Sequence, residues 1–214
     1  MFSDVGGSIP CGPLDQSEVD KRSDVLNFQT DVFDVPFSMT GPLLATLFVS
    51  SDAIDTDFMV RISDVYPTGE ALLIQDNAMR MRWRKGGLKP VYMEKGDVYK
   101  IEVNLWNTSF VVAPGHALRF SISSSNNPRF SVNPQNGLLL ADPAYPGENI
   151  TATNTIYHST RYPSKISLPM VPKTELPNVH VLKEVQSAHP HITDDLIARF
   201  SKHMETYIKR GKKN

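Results

Sequence analysis

From Val25 to Leu168 the chain is cut into short apolar or alternating runs separated by turn residues, and no helical period runs through this stretch. The clearest runs are Val25–Gln29, Leu43–Ser50, Phe58–Tyr66, Met79–Trp83, Val98–Trp106, Leu118–Ser124, Thr155–His158 and Lys165–Leu168. Between them stand Thr40-Gly41-Pro42, Pro67-Thr68-Gly69, Lys85-Gly86-Gly87, Lys95-Gly96-Asp97 and Ala113-Pro114-Gly115. These residue types supply turn conformations that strands cannot. Many short strands with regular punctuation predict an all-β chain, a sandwich or jelly roll. Val98–Trp106 carries the pattern most plainly, because Ile101, Val103 and Leu105 alternate with Lys100, Glu102 and Asn104. One face then packs on a core and the other meets water, as antiparallel sheets permit.

The flanks have a different texture. Residues 1–24 are rich in Gly, Pro, Ser and Asp, without a period, and read as an extended lead-in to a sandwich over residues 25–171. Asn126 to Asn154 holds no convincing strand and carries Pro128, Pro134, Pro143 and Pro146; connections this long are usually functional or packed against something else. Residues 172–214 form a tail in which Pro172 and Pro177 precede an amphipathic helix over about 193–210. Thr193 is its N-cap, with Asp194 and Asp195 at the positive end of the helix dipole. Leu196, Ile197, Phe200, Met204 and Ile208 make one apolar stripe, and Gly211 ends the pattern. That stripe either docks on the sandwich or grips a partner, so an oligomer formed through the C-terminal helix is one expectation.

Composition narrows the class of partner. With 214 residues and 40% apolar content the chain is long enough to bury a core without staples. A formal charge of −1 gives no whole-chain attraction to nucleic acid or to an anionic membrane, and neither is expected as a partner. No apolar stretch approaches the ~18–20 residues that span a bilayer. Cys11 is the single cysteine, which fits a reducing compartment. Met1 to Pro10 lacks a basic start followed by an apolar run, so the expected location is cytoplasmic. The sequons Asn107-Thr108-Ser109 and Asn149-Ile150-Thr151 are then expected to be unused.

No residue constellation predicts catalysis. A nucleophile elbow needs small residues two positions either side of its serine, and Gly6-Gly7-Ser8-Ile9-Pro10 places Pro10 where the second glycine belongs. Cys11, between Pro10 and Gly12, shows no activating neighbour and reads as structural. His189-Pro190-His191, with His180 and His203, lies in the tail and lacks the spacing of a zinc site. Asp52, Asp55 and Asp57 could supply hard oxygen ligands to calcium, but turn capping is the preferred reading. Arg80, Arg82 and Arg84 alternate with Met79, Met81 and Trp83, as in a strand with one polar and one buried face. No phosphate-cradling motif occurs. Catalytic, cofactor-binding and metal-ligating residues are therefore all assigned as none, and no cofactor is expected.

A series of segments does point to a family. Pro10-Cys11-Gly12-Pro13-Leu14-Asp15-Gln16 is followed by Arg22-Ser23-Asp24-Val25-Leu26, Thr40-Gly41-Pro42, Val49-Ser50-Ser51-Asp52-Ala53 and Asp55-Thr56-Asp57-Phe58. Then come Ser63-Asp64-Val65-Tyr66-Pro67-Thr68-Gly69, Met79-Arg80-Met81-Arg82-Trp83-Arg84, Gly115-His116-Ala117-Leu118-Arg119, Ser123-Ser124-Ser125-Asn126-Asn127-Pro128-Arg129-Phe130, Thr155-Ile156-Tyr157-His158 and Pro163-Ser164. In this order they resemble the C-terminal domain of the Xaa-Pro dipeptidyl-peptidase and cocaine-esterase family of serine hydrolases, over roughly residues 6–170. The resemblance implies a galactose-binding-domain-like jelly roll. It also implies an α/β-hydrolase catalytic domain as partner, in trans or on a longer parent chain, which carries the Ser-Asp-His triad upstream of the matched region. Family activity is dipeptidyl-peptidase or acyl ester and amide hydrolysis, and the matched domain would support the catalytic domain and wall its substrate cleft. An exposed apolar patch is then expected where the hydrolase packs. Two rival readings remain open. One is a free-standing ligand- or carbohydrate-binding module, for which Trp83, Trp106, Tyr92 and Tyr145 are the candidate aromatics, although most sit inside strand patterns. The other is that the polypeptide is itself an active hydrolase.

Overall fold

A computed structural model describes residues 12–138 and 149–171, together with Thr193. The chain divides into two units after Val171, and the first of them holds the described strands. Ser8, Cys11, Tyr145, the histidines at 180, 189, 191 and 203, and the helix expected at about 193–210 lie outside the described residues.

Among the described residues eight strands follow in order: β1 (Leu26–Gln29), β2 (Phe37–Ser51), β3 (Asp57–Val65), β4 (Ala71–Arg80), β5 (Tyr99–Val112), β6 (Ala117–Ser123), β7 (Asn154–Tyr157) and β8 (Lys165–Ser167). They make two sheets with antiparallel pairing throughout, one ordered β1-β6-β3-β4 and the other β5-β2-β7, with β8 also on β2. Apart from the β3–β4 and β7–β8 connections, each link crosses from one sheet to the other, so the architecture is the expected all-β sandwich. The core lies between the sheets, where Leu43, Ala45, Leu47 and Val49 of β2 and Ile101, Val103 and Leu105 of β5 face Phe58, Val60, Ile62, Leu118 and Ile122. On β5, Lys100, Glu102 and Asn104 are exposed, as the alternation predicts.

Three sequence expectations need correction. Thr40-Gly41-Pro42 is not a turn but lies within β2, whose register against β5 slips between Pro42 and Leu44. Proline is tolerated in a strand at such an irregularity. Glycine suits the position beside it, because Gly41 takes φ 133 and a Cβ there would sit 3.1 Å from Pro169 Cβ. At the same slip Leu105 and Trp106 together face Leu43, so β5 carries a bulge. Trp106 adopts φ 68 there and is 62% exposed. A bulky residue in the left-handed region is strained by about 1 kcal/mol or more, whereas asparagine tolerates it. Trp106→Asn is therefore expected to raise stability by about 1 kcal/mol in urea unfolding; an unchanged or lower midpoint would show that the indole's contacts outweigh the strain.

The second correction concerns Met79–Trp83. β4 begins earlier, at Ala71, and ends at Arg80, after which Met81–Trp83 forms a 3-10 turn. The three arginines therefore do not share a solvent face: Arg82 is 1% exposed. Third, residues 12–24 are more than an extended approach. Asp15 bridges to Leu72, Ser17–Asp20 forms a short helix, α1, and Asp20 is buried. Gln16 N donates to Ala71 O at 2.7 Å, and the Asp15 carboxylate accepts from Ala71 N at 2.9 Å, so this stretch is stitched to the start of β4.

A candidate interaction surface at one end of the sandwich

The links 52–56, 81–98 and 124–138 meet at one end of the strands, and a buried ion network holds them there. Arg82 donates Nε to Asp55 Oδ2 at 2.7 Å and its backbone N–H to Asp55 Oδ1 at 2.8 Å. Its Nη1 and Nη2 reach the carbonyls of Gly137 (3.0 Å) and Leu138 (2.5 Å). Asn133 Nδ2 donates to Asp55 Oδ2 and Asp57 Oδ1, and Arg80 grips Asp57 with Nε and Nη2 at 2.9 and 2.8 Å. Asp55 is fully buried, so each of these donors offsets the cost of removing a carboxylate from water. The Asp55 and Asp57 carboxylates are taken up by protein donors. Asp52 accepts from Thr153 N at 2.7 Å, and that hydrogen bond holds its carboxyl below the ordinary range. Among the described residues no group of three His, Cys, Asp or Glu is placed to hold a metal ion.

The 3-10 turn leads into a loop closed at its base. Arg84 Nη1 donates to the carbonyls of Met81 and Val91, Nη2 donates to Tyr92 O at 3.1 Å, and the guanidinium lies 4.4 Å from the Tyr99 ring centroid. Met93 N bonds Ile54 O at 2.8 Å, joining this loop to its neighbour. The stapled end displays Ile54, Trp83, Tyr92, Leu138 and above all Leu88, which is 99% exposed. Of the candidate aromatics, Trp83 and Tyr92 sit in these connections and not in strands, while Trp106 is on the β5 bulge.

A second apolar feature is a cleft of about 390 Å³ on one flank, with Phe28, Phe120, Ile156, Ile166 and Leu168 among its lining residues. Neither it nor the groove between Phe48, Lys100 and Lys165 on the outer face of the other sheet is lined by a tryptophan. The described histidine with a carboxylate partner is His116, whose Nδ1 lies 3.0 and 3.1 Å from the Asp64 oxygens. Tyr66 packs on its ring at 4.2 Å, and no hydroxyl or thiol among the described residues hydrogen-bonds it.

Sequence reasoning missed Asn133, Asp20, Arg61 and Asp76. Their partners are far along the chain, as in Asp20 with Arg61 and Asp76 with Arg129, and no local spacing announces them.

Comparison with known proteins places this geometry. Residues 9–167 match the X-Pro dipeptidyl-peptidase C-terminal non-catalytic domain. The cocaine esterase of Rhodococcus sp. (strain MB1 Bresler) is 39% identical over 160 residues, which is 75% of this chain and 28% of that enzyme. An alpha-amino acid ester hydrolase superposes with a TM-score of 0.69 at 30% identity, over 74% of this chain and 27% of that one. The aminopeptidase of a marine-sediment Thaumarchaeota archaeon gives 0.70 at 25% identity, over 75% and 28%. The chain thus spans less than a third of the length of these relatives. With the sandwich and its match running together from the lead-in to β8, the chain belongs to the X-Pro dipeptidyl-peptidase C-terminal non-catalytic domain family.

Proposed function

We propose that this chain serves as a non-catalytic sandwich that docks on an α/β-hydrolase catalytic domain, in trans or on one polypeptide, and steadies its substrate cleft. The observation that carries the reading is the match over 9–167 to a domain described as non-catalytic, in relatives of which the chain spans little more than a quarter. The site chemistry agrees with it. Buried carboxylates and guanidiniums at the stapled end are consumed by one another, and His116 has a carboxylate but no nucleophile among the described residues. Function of this kind is supplied by shape and support while the reacting groups sit elsewhere. A cocaine esterase, an ester hydrolase and an aminopeptidase among the relatives support a partner enzyme acting on acyl esters or on peptides.

The purified chain of 214 residues is expected to leave an activated ester and an Xaa-Pro chromogenic amide unhydrolysed above background. Turnover that a serine-directed covalent inhibitor abolishes would overturn the reading.

A further inference from the structure

We infer that the chain engages its hydrolase partner through the tip of the loop Arg84–Pro90, with Leu88 entering an apolar socket bordered by carboxylates; this rests on the function proposed above. A leucine exposed to 99% forfeits nearly all the gain of leaving water unless something covers it. Here it is also held out on a preformed support. Gly86 and Gly87 take positive φ (66 and 93), Gly86 N bonds Trp83 O at 2.9 Å, and Val91 N bonds Arg82 O at 2.8 Å. Arg84 locks the base from inside through the carbonyls of Met81, Val91 and Tyr92. A loop ordered before binding gives up little further entropy on docking, which is how a small contact becomes a strong one.

Charge selects the occupant. Lys85 and Lys89 flank Leu88, and neither has an ion-pair partner among the described residues. A second copy meeting this tip about a two-fold axis would set like charges against each other. A surface that presents carboxylates around an apolar pocket is complementary, and Ile54, Trp83, Tyr92 and Leu138 extend the apolar contact beyond Leu88. The hydrolase domain that relatives carry in the remaining length supplies a partner large enough to cover it.

The test uses the full chain produced in its source cells with a photo-crosslinking phenylalanine at position 88 or, separately, at position 32. Val32 is 57% exposed in the link between β1 and β2, at the opposite end of the strands. Crosslinked products are sequenced as peptides and probed with a fluorophosphonate. The expected result is a fluorophosphonate-reactive α/β-hydrolase joined from position 88 and not from 32. Charge reversal at the tip, as Lys85→Glu with Lys89→Glu, should lower the yield from position 88 by about tenfold or more at an unchanged melting temperature. A yield that survives the reversal overturns the carboxylate-bordered socket. Capture from 32 alone, or equally from both, overturns the docking face and leaves the proposed function standing. Recovery of no hydrolase segment from either position, whether on a separate chain or within the same polypeptide, overturns both.

Discussion

Arg82→Met is expected to destabilise the chain by about 3–5 kcal/mol, the cost of stranding a buried charge. Asp55 would keep its carboxylate buried with Asn133 Nδ2 and a backbone N–H as remaining donors, the carbonyl of Leu138 would lose its guanidinium donor, and that of Gly137 would keep only the Tyr92 hydroxyl. For a domain of this size that loss lowers the melting temperature by roughly 10 °C. The double variant Arg82→Met with Asp55→Leu should lose less than the two single changes together, because it removes the charge along with its partner. Thermal and urea unfolding of all three variants reads the coupling directly. A loss below about 1 kcal/mol for Arg82→Met, the range of exposed ion pairs, would mean that water reaches the network. The change also has a functional side. Ile54, Leu138 and the base of the Leu88 loop are held by the same network, so backbone amide exchange in 84–92 is expected to quicken before the rest of the sandwich opens.

What could be read from the sequence divides along physical lines. β5 was legible because one face meets water, which forces Lys100, Glu102 and Asn104 to alternate with the core residues Ile101, Val103 and Leu105. β4 was mostly hidden because Leu72, Leu73 and Ile74 are all half-buried, so no alternation marks them. The arginines of 80–84 do alternate, yet the backbone leaves the sheet after Arg80. Asp55 then takes the backbone N–H of Arg82, an event fixed by a residue 27 positions earlier. Gly41 and Pro42 read as punctuation for the same kind of reason: both lie within β2 beside a register slip, where Gly41 meets Pro169 from a distant part of the chain. Order of motifs identified the family and with it the fold. Local pattern alone could not have shown which charged residues are buried, because burial of an ion is decided by partners that only the fold brings together.

Asp20→Ala gives the second large effect, and it bears on where the cooperative unit begins. Asp20 accepts from Arg61 Nη2 at 2.9 Å, Ser121 Oγ at 2.9 Å and Arg119 Nη1 at 3.2 Å, tying α1 to β3 and β6 across the outer face of their sheet. The Asp20 and Arg61 side chains are 3% and 6% exposed. Burial pulls the Arg61 guanidinium below its ordinary range, against the pull of Asp20 and Asp76, so the site already tolerates its cation at a cost. Removing the nearer carboxylate leaves that cation with the Gln16 amide oxygen and the more distant charge of Asp76, and a loss of about 3–5 kcal/mol is expected. Glu18→Ala, two residues earlier on the exposed side of the same helix, should change stability by less than about 0.5 kcal/mol. The pair of variants separates a helix that merely rests on the sheet from one that belongs to it. If Asp20→Ala unfolds in a single transition with a lowered urea midpoint, residues 12–24 fold with the sandwich. A midpoint equal to that of Glu18→Ala would instead show that Arg61 finds water once α1 lifts away, and that the cooperative unit starts at β1.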